Sequence, residues 1–325
     1  MSQVVTASRP GGRISGIRIS GLRKLTLFLL LAILWFALAM ATETFWSGSN
    51  ITNLFRQTAL MSILAIGQTL VIITAGIDLS VGAMVGLSSV LVSLMMKAGV
   101  PIPIAVLLTL GFGLLVGLYH GIAIRRFGIP PFIITLASLS VLTGLGLLIT
   151  DGATISGLPK EFTGFSRGAF LGVPNLFWIV VIIGIPVYVL LRHTRWGRYI
   201  FAVGSSPEAA RLSGVNVNRT FYLVYALTST LAALVGVLTA SRISIGLATT
   251  GMGWELQSIA ASVIGGASLF GAAGGVIGSL LGAMSLTTIA NGANLLNVNP
   301  YIQQMVTGLL IVFIVYFDQA RRRSQ

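Results

Sequence analysis

The chain has 325 residues, 55% of them hydrophobic and 8% charged, a net charge of +13 and no cysteine. Its mean hydropathy is +0.95, and it holds several apolar runs of about twenty residues, enough to cross a hydrocarbon layer roughly 30 Å thick; this excludes a water-soluble fold, disulfides, thiolate catalysis and cysteine metal sites. The basic residues lie between the apolar runs, where they direct topology, so the charge implies a membrane and no nucleic acid.

In chain order, the first 24 residues carry Arg9, Arg13, Arg18, Arg23 and Lys24 with no acid. The run after them lacks a small-residue cleavage pattern and is long enough to span, which predicts a retained first helix and no cleaved signal peptide. Ten apolar runs are predicted as spans, at about 25–45, 57–75, 80–96, 101–122, 131–150, 175–191, 220–240, 257–270, 273–291 and 301–317; the second, third, eighth and ninth are short or broken by glycine. An even count puts both termini on one side. If that side is the cytoplasm, fifteen Lys and Arg residues fall inside and five (Arg56, Lys97, Lys160, Arg167, Arg242) outside, the bias of the positive-inside rule. Trp46, Trp178, Trp196 and Trp254 fall near span ends, as interfacial rings do. The predicted fold is an all-α polytopic transmembrane bundle of about ten spans with both termini cytoplasmic. It has a basic tail over 1–24, a transmembrane domain over 25–318 and a second basic tail over 319–325.

Within this domain the internal loop over 192–219 reads like the surface of a soluble protein, "AVGSSPEAARLSGVNVNRT" over 202–220. Ser205 or Ser206 suits an N-cap, Pro207 the first turn, Glu208 a capping box from Ser205, and Gly214 a left-handed stop. The spacing predicts a helix of about two turns, either a capped connector or an element that docks on something, because so short a helix is marginal alone.

Glycines recur at four-residue spacing at Gly113, Gly117 and Gly121, at Gly82 and Gly86, and in the 271–282 stretch, which predicts close helix packing. "TAGIDLSVG" and "VIGGASLFGAAGG" also suit broken helices beside a polar path, because irregular backbone at depth needs protein or water around it. Asp78 is the one carboxylate flanked on both sides by long apolar runs. A charge there costs about 2.5 to 3.5 kcal/mol on insertion scales, so it faces protein or water; with Ser80 it supports a pore lining or gate, or else it caps the third span. Asn291, Asn294, Asn297 and Asn299 cluster at the far end of the ninth span, where Asn291 suits a hydroxyl-rich sugar and the others ordinary turns. Gln57, Gln68 and Gln303 are polar groups on apolar spans that line a path or bond a neighbouring helix. His120 and His193 read as polar residues at the interface and in solvent, and their separation gives no metal site. Glu255 and Arg242 read as an external ion pair or a docking contact.

Four blocks then stand in register: "NLFRQTALMSILAIGQTLVIITAGIDLSVGAMVGLSS" (53–89), "GIPPFIITLASLSVLTGLGLLIT" (128–150), "GRYIFAVGSSPEAARLSGVNV" (197–217) and "GWELQSIAASVIGGASLFGAAGGVIGSLLGA" (253–283). Together they resemble the ribose-type permeases of bacterial ATP-binding-cassette importers, over about residues 25–318. At His120 the sequence departs from that resemblance, since many such permeases carry asparagine there. The resemblance implies a homodimer or a pair of different permeases in the bacterial inner membrane. It also implies two cytoplasmic ATP-binding-cassette subunits, and a periplasmic or lipid-anchored sugar-binding protein that delivers a monosaccharide such as ribose. On the same ground Ser205, Pro207, Glu208, Ala209, Ala210, Arg211, Leu212 and Gly214 form a coupling helix seated on the ATPase, and Asp78, Ser80, Gln68 and Asn291 are candidates for the translocation path.

The residues agree that energy enters from outside. There is no G-x-x-x-x-G-K-[ST] loop, and none of the three lysines follows a glycine, so ATP and Mg are expected on the partner ATPase and no cofactor on this chain. A stand-alone secondary transporter or channel is the alternative, with Asp78 as its one intramembrane acid. An intramembrane enzyme lacks a nucleophile–base pair, paired carboxylates or metal motif, so no catalytic and no metal residues are expected.

Overall fold

The computed structural model describes the backbone of residues 15–323, and side chains from Leu25 onward with gaps in the last helix. Arg9, Arg13 and residues 324–325 lie outside the described residues, as do the side chains of Arg18, Arg23, Lys24 and Arg321 to Arg323. The described chain is helical nearly throughout: α1 (Ser15–Ala41), α2 (Gly48–Ile73), α3 (Val81–Lys97), α4 (Ile102–Arg126), α5 (Pro131–Thr150), α6 (Lys160–Arg167), α7 (Asn175–His193), α8 (Arg195–Ser205), α9 (Pro207–Leu212), α10 (Val217–Ile243), α11 (Trp254–Ile264), α12 (Val276–Leu295) and α13 (Pro300–Arg323). Between α6 and α7 lies a hairpin of β1 (Ala169–Phe170) and β2 (Val173–Pro174). Each of the ten predicted runs carries a helix. Six of them, α2, α4, α5, α7, α10 and α12, are long and apolar enough to cross a membrane, so the chain is an all-α polytopic protein.

Boundaries differ from expectation where apolarity and helix propensity part company. Helix α1 begins ten residues before its apolar run and α13 ends at Arg323, because arginine and lysine are good helix formers and do not stop a helix where oiliness stops. Helix α11 runs only from 254 to 264, opened by Gly253 (φ 81°) and closed by Gly265 and Gly266 (φ 94°). Helices α6 and α8 lie outside the predicted runs; Thr194, whose hydroxyl accepts from Gly197 N at 3.3 Å, caps α8.

Helices α2 and α10 form the centre and are buried along most of their length, whereas α4, α5 and α7 are largely exposed. An enclosed helix can carry hydroxyls and amides because its neighbours supply their partners. Thr58 pairs with Thr287 and Thr69 with Ser279, both at 2.6 Å between α2 and α12. Thr228 of α10 donates to the Gly67 carbonyl of α2 at 2.8 Å. Helix α4 lies against α10 along its glycine face, where a Cβ at Gly117 would overlap the Tyr225 carbonyl and the Ala226 Cα; the backbones approach so closely only because no side chain intervenes.

The bundle has two distinct ends. At one, the C-terminus of α2 meets α8 and the 265–275 loop, with Ala272 N donating to Ile73 O at 2.9 Å. At the other, Ile155 and Gly246 form an isolated bridge and Ser241 of α10 donates to the Phe162 carbonyl of α6. From that second end residues 244–253 run inward beside α3, where Ser89 Oγ donates to Leu247 O (3.0 Å) and accepts from Leu247 N (3.1 Å). Trp254 then packs beside Met61, about halfway along α2. The eighth predicted span, 257–270, is thus the later part of a half-length helix and the loop after it, and a segment of turns over 244–253 leads into that helix.

Candidate functional site

Three groups of residues stand out: an exposed helical loop, a buried polar cluster, and a cavity at the opposite end.

The loop after α7 is built from consecutive caps. Ser206 accepts from Ala209 N at 3.2 Å and caps α9, Gly214 (φ 83°) follows its last turn, and Asn216 accepts from Arg219 N at 3.0 Å to cap α10. The capping box expected from Ser205 does not form: Ser205 is the last residue of α8, so Ser206 takes the cap and α9 spans six residues. Ala210 is buried against the core, while Pro207, Glu208, Ala209, Arg211 and Leu212 face outward. Leu212 is 84% exposed, an apolar tip on an otherwise polar element. Gly204 anchors the loop, since a Cβ there would overlap the Ile73 carbonyl at the end of α2.

The break between α2 and α3 folds back along the last turn of α2. Gln68, with its amide nitrogen towards Asp78 O, donates to that carbonyl and accepts from Asp78 N, both at 3.2 Å. Asp78 therefore lies about 7 Å in from the α2 terminus, at 1.5 Å rise per residue. Asp78 Oδ1 accepts from Ser80 N (2.9 Å) and Ser80 Oγ (2.6 Å), so the carboxylate closes a local turn and Ser80 itself is the N-cap position of α3. Across from it, His120 Nδ1 lies 4.0 Å from Asp78 Oδ2, and His120 Nε2 shares a 2.7 Å hydrogen bond with Ser138 Oγ of α5. Tyr225 of α10 brings its hydroxyl against Gly76 and its ring edge-on to His120 (6.3 Å between centroids). His120 is fully buried, not interfacial as expected, because α4 turns that face onto α10 and α5. Asp78 Oδ2, His120 Nδ1 and the Tyr225 hydroxyl are buried without a hydrogen-bond partner among the described residues.

The cavity, about 400 Å³, lies between α2, α11, α12 and α13. Leu60, Met61, Leu286 and Ile289 are among its apolar lining residues, and Gln57, Trp254, Gln257, Thr287, Gln303 and, from the end of α10, Arg242 are its polar and aromatic ones. It sits at the far end of α10 from α9.

Of the four path candidates, Asp78, Ser80 and Gln68 come together in the buried cluster. Asn291 is elsewhere, paired with Asn50 through amide bonds of 2.7 and 3.2 Å. None of the four lines the cavity. The other asparagines make turns: Asn297 is left-handed (φ 54°) and Asn299 Oδ1 accepts from Tyr301 N. Gln303 bonds Asn294 and the Val298 carbonyl. The Arg242–Glu255 ion pair does not form; Glu255 instead accepts from Gly253 N at the start of its own helix. His193 is exposed, as expected. The sequence alone does not single out Tyr225, which reaches the cluster only through the packing of α4 on α10; Trp254, expected at the interface, and Arg242, expected to pair with Glu255 or dock a partner, line the cavity instead.

Residues 50–315 match the family described as branched-chain amino acid transport system / permease component. The chain is 40% identical over 302 residues to the ribose import permease protein RbsC of Bacillus subtilis, covering 92% of this chain and 94% of that one. It is 37% identical over 285 residues to RbsC of Escherichia coli K12 (86% and 89% covered). It is 34% identical over 296 residues to the autoinducer 2 import system permease protein LsrC of Salmonella typhi (91% and 85%). No solved structure matches.

Proposed function

Because the chain belongs to the branched-chain amino acid transport system / permease component family, we propose that it carries a monosaccharide inward as the membrane subunit of an ATP-driven importer, with α9 receiving the stroke of a separate ATPase. It is a multi-pass inner-membrane permease and not itself an enzyme. The observation that carries the sugar reading is the 40% identity across 92% of the chain to a ribose import permease, with sugar and autoinducer 2 permeases recurring among its relatives.

Ten passes cross the membrane on this reading, six by the long helices and the others by α1, α3, the turns of 244–253 with α11, and α13. Both termini are cytoplasmic, with basic tails over 1–24 and 319–325 flanking the permease domain over 25–318; the excess of arginine on that side supports this orientation. The loop over 192–219 is the docking element, with Pro207, Glu208, Ala209, Ala210, Arg211 and Leu212 seated on the cytoplasmic ATP-binding-cassette subunit and Ser205 and Gly214 fixing the ends. Its anchoring at Gly204 against α2 supports transmission: a push on α9 reaches the helix that ends at the Asp78 break. Gln68, Asp78 and Ser80 shape the gate there, and Asn291 holds α12 to the start of α2. A second copy completes the pore, an external sugar-binding protein delivers cargo, and ATP with Mg binds the ATPase. A pore is driven only by a partner that binds its two states unequally, which is what an ATPase that opens and closes supplies.

The test is reconstitution in proteoliposomes with the ATPase subunit and the binding protein. Uptake of a sugar that requires both partners and ATP is the expected result. Uptake by this chain alone, driven by an ion gradient, overturns it.

A further inference from the structure

We propose that the 400 Å³ cavity between α2, α11, α12 and α13 is a holding site for one monosaccharide inside a single copy of the chain, with Trp254 against the sugar ring and Arg242, Gln57 and Gln257 bonding its hydroxyls. The inference rests on the sugar-importer reading and adds the site and its contacts.

The polar side chains are the first ground. Gln57, Gln257 and Arg242 line a cavity whose other polar side chains, Thr287 and Gln303, bond protein neighbours, and none of the three makes a side-chain hydrogen bond to another described residue. Amides and a guanidinium facing apolar groups are costly unless satisfied by protein, water or a ligand. Structural explanations are used up elsewhere: the Thr58–Thr287 and Thr69–Ser279 pairs already tie α2 to α12.

Arg242 is the second. No carboxylate lies within 4.0 Å of it among the described residues. It is therefore not half of an ion pair. A guanidinium offers a planar fork of donors that spans two neighbouring oxygens, and the two amides supply both donors and acceptors, the set a vicinal diol requires.

The third is the placing of Trp254. Gly253 (φ 81°) starts α11 deep in the bundle instead of at its end, which sets an indole beside Met61, where the floor of the cavity lies. A flat apolar ring with a polar edge suits the C–H face of a sugar better than the membrane interface it never reaches. The volume falls near the lower end of the roughly 300–1,000 Å³ of small-molecule sites, room for one monosaccharide.

The experiment uses the reconstituted importer with its ATPase and binding protein, and a panel of D-ribose, D-xylose, D-glucose and myo-inositol. We expect Arg242→Gln and Trp254→Ala to lower ATP-dependent uptake of the carried sugar about ten-fold or more, with Trp254→Phe retaining most of it. Because the chain has no cysteine, Gln257→Cys provides a second readout: a hydrophilic thiol reagent labels it, and saturating carried sugar slows that labelling, while Leu171→Cys, exposed in the turn between β1 and β2, is labelled at a rate indifferent to sugar. If wild-type protein carries no panel sugar with ATP, the sugar reading falls and this site with it. If it carries one, yet Arg242→Gln and Trp254→Ala transport like wild type, or sugar leaves Gln257→Cys labelling unchanged, the site is refuted while the importer stands.

Discussion

His120 Nδ1 stands 4.0 Å from Asp78 Oδ2, with both side chains fully buried at the meeting of the α2–α3 break, α4, α5 and α10. The other oxygen of Asp78 is satisfied by Ser80 and the other nitrogen of His120 faces Ser138. The pair is thus held from both sides, while Asp78 Oδ2, His120 Nδ1 and the Tyr225 hydroxyl have no hydrogen-bond partner among the described residues.

Removing one partner leaves the other as a buried polar group without compensation. Asp78→Asn or His120→Ala is expected to destabilise the protein by about 1–3 kcal/mol, the usual cost of disturbing a buried polar group. The double variant should fall short of the sum by about 0.5–3 kcal/mol, because the groups are in one network. Thermal unfolding in detergent, followed by monodispersity, measures this; strictly additive losses would show that the two residues do not interact.

The capping of α9 separates two adjacent serines. Ser206→Ala removes the acceptor for Ala209 N and is expected to cost about 0.5–2 kcal/mol locally. Ser205→Ala, at the end of α8, leaves that bond in place. Amide hydrogen exchange over 209–213 should therefore quicken several-fold in Ser206→Ala and stay unchanged in Ser205→Ala. The reverse order would restore the capping box read from the sequence.

Apolar runs were legible because a bilayer demands about twenty oily residues in a row, and all ten runs contain a helix. The sequence also marked the α9 loop, whose Ser, Pro and Gly act through local backbone chemistry. Length was not legible where glycines at 253, 265 and 266 cut α11 to half a span, since hydropathy is blind to φ. The cluster was half legible: Asp78, Ser80 and Gln68 stood out as polar groups in oil, whereas His120 and Tyr225 join them only through the crossing of α4 and α10. The cavity residues come from α2, α10, α11, α12 and α13, and no single stretch of sequence shows that these helices meet.

The α4–α10 contact offers a contrast between two glycines on one helix. Gly117→Val would force a branched side chain into the backbone of Tyr225 and Ala226, whereas a Cβ at Gly111 meets nothing within 4 Å. Overpacking on this scale costs about 1–3 kcal/mol or more, and here it also displaces Tyr225 from the buried cluster. Gly117→Val is expected to lower the yield of folded protein sharply, and Gly111→Ala to leave it unchanged. Equal yields would mean that α4 does not seat against α10 as described.

Leu212 is 84% exposed at the tip of α9, one residue from Arg211 and four from Glu208. An apolar side chain so placed contributes nothing to the permease's own core, so Leu212→Asp is expected to leave expression and thermal stability within about 0.5 kcal/mol, as for surface changes elsewhere. If α9 seats in the ATPase, the same change puts a charge into a buried contact, and loss of a central apolar anchor costs about 2 kcal/mol or more of binding, some thirty-fold in affinity. ATP-dependent uptake should fall accordingly, and the ATPase should co-purify poorly with a permease that is otherwise intact. The same substitution at exposed Phe127, on the turn between α4 and α5 outside the α9 loop, separates docking from general surface damage. Loss with Leu212→Asp and retention with Phe127→Asp is the expected pattern; equal retention would move the docking element away from α9.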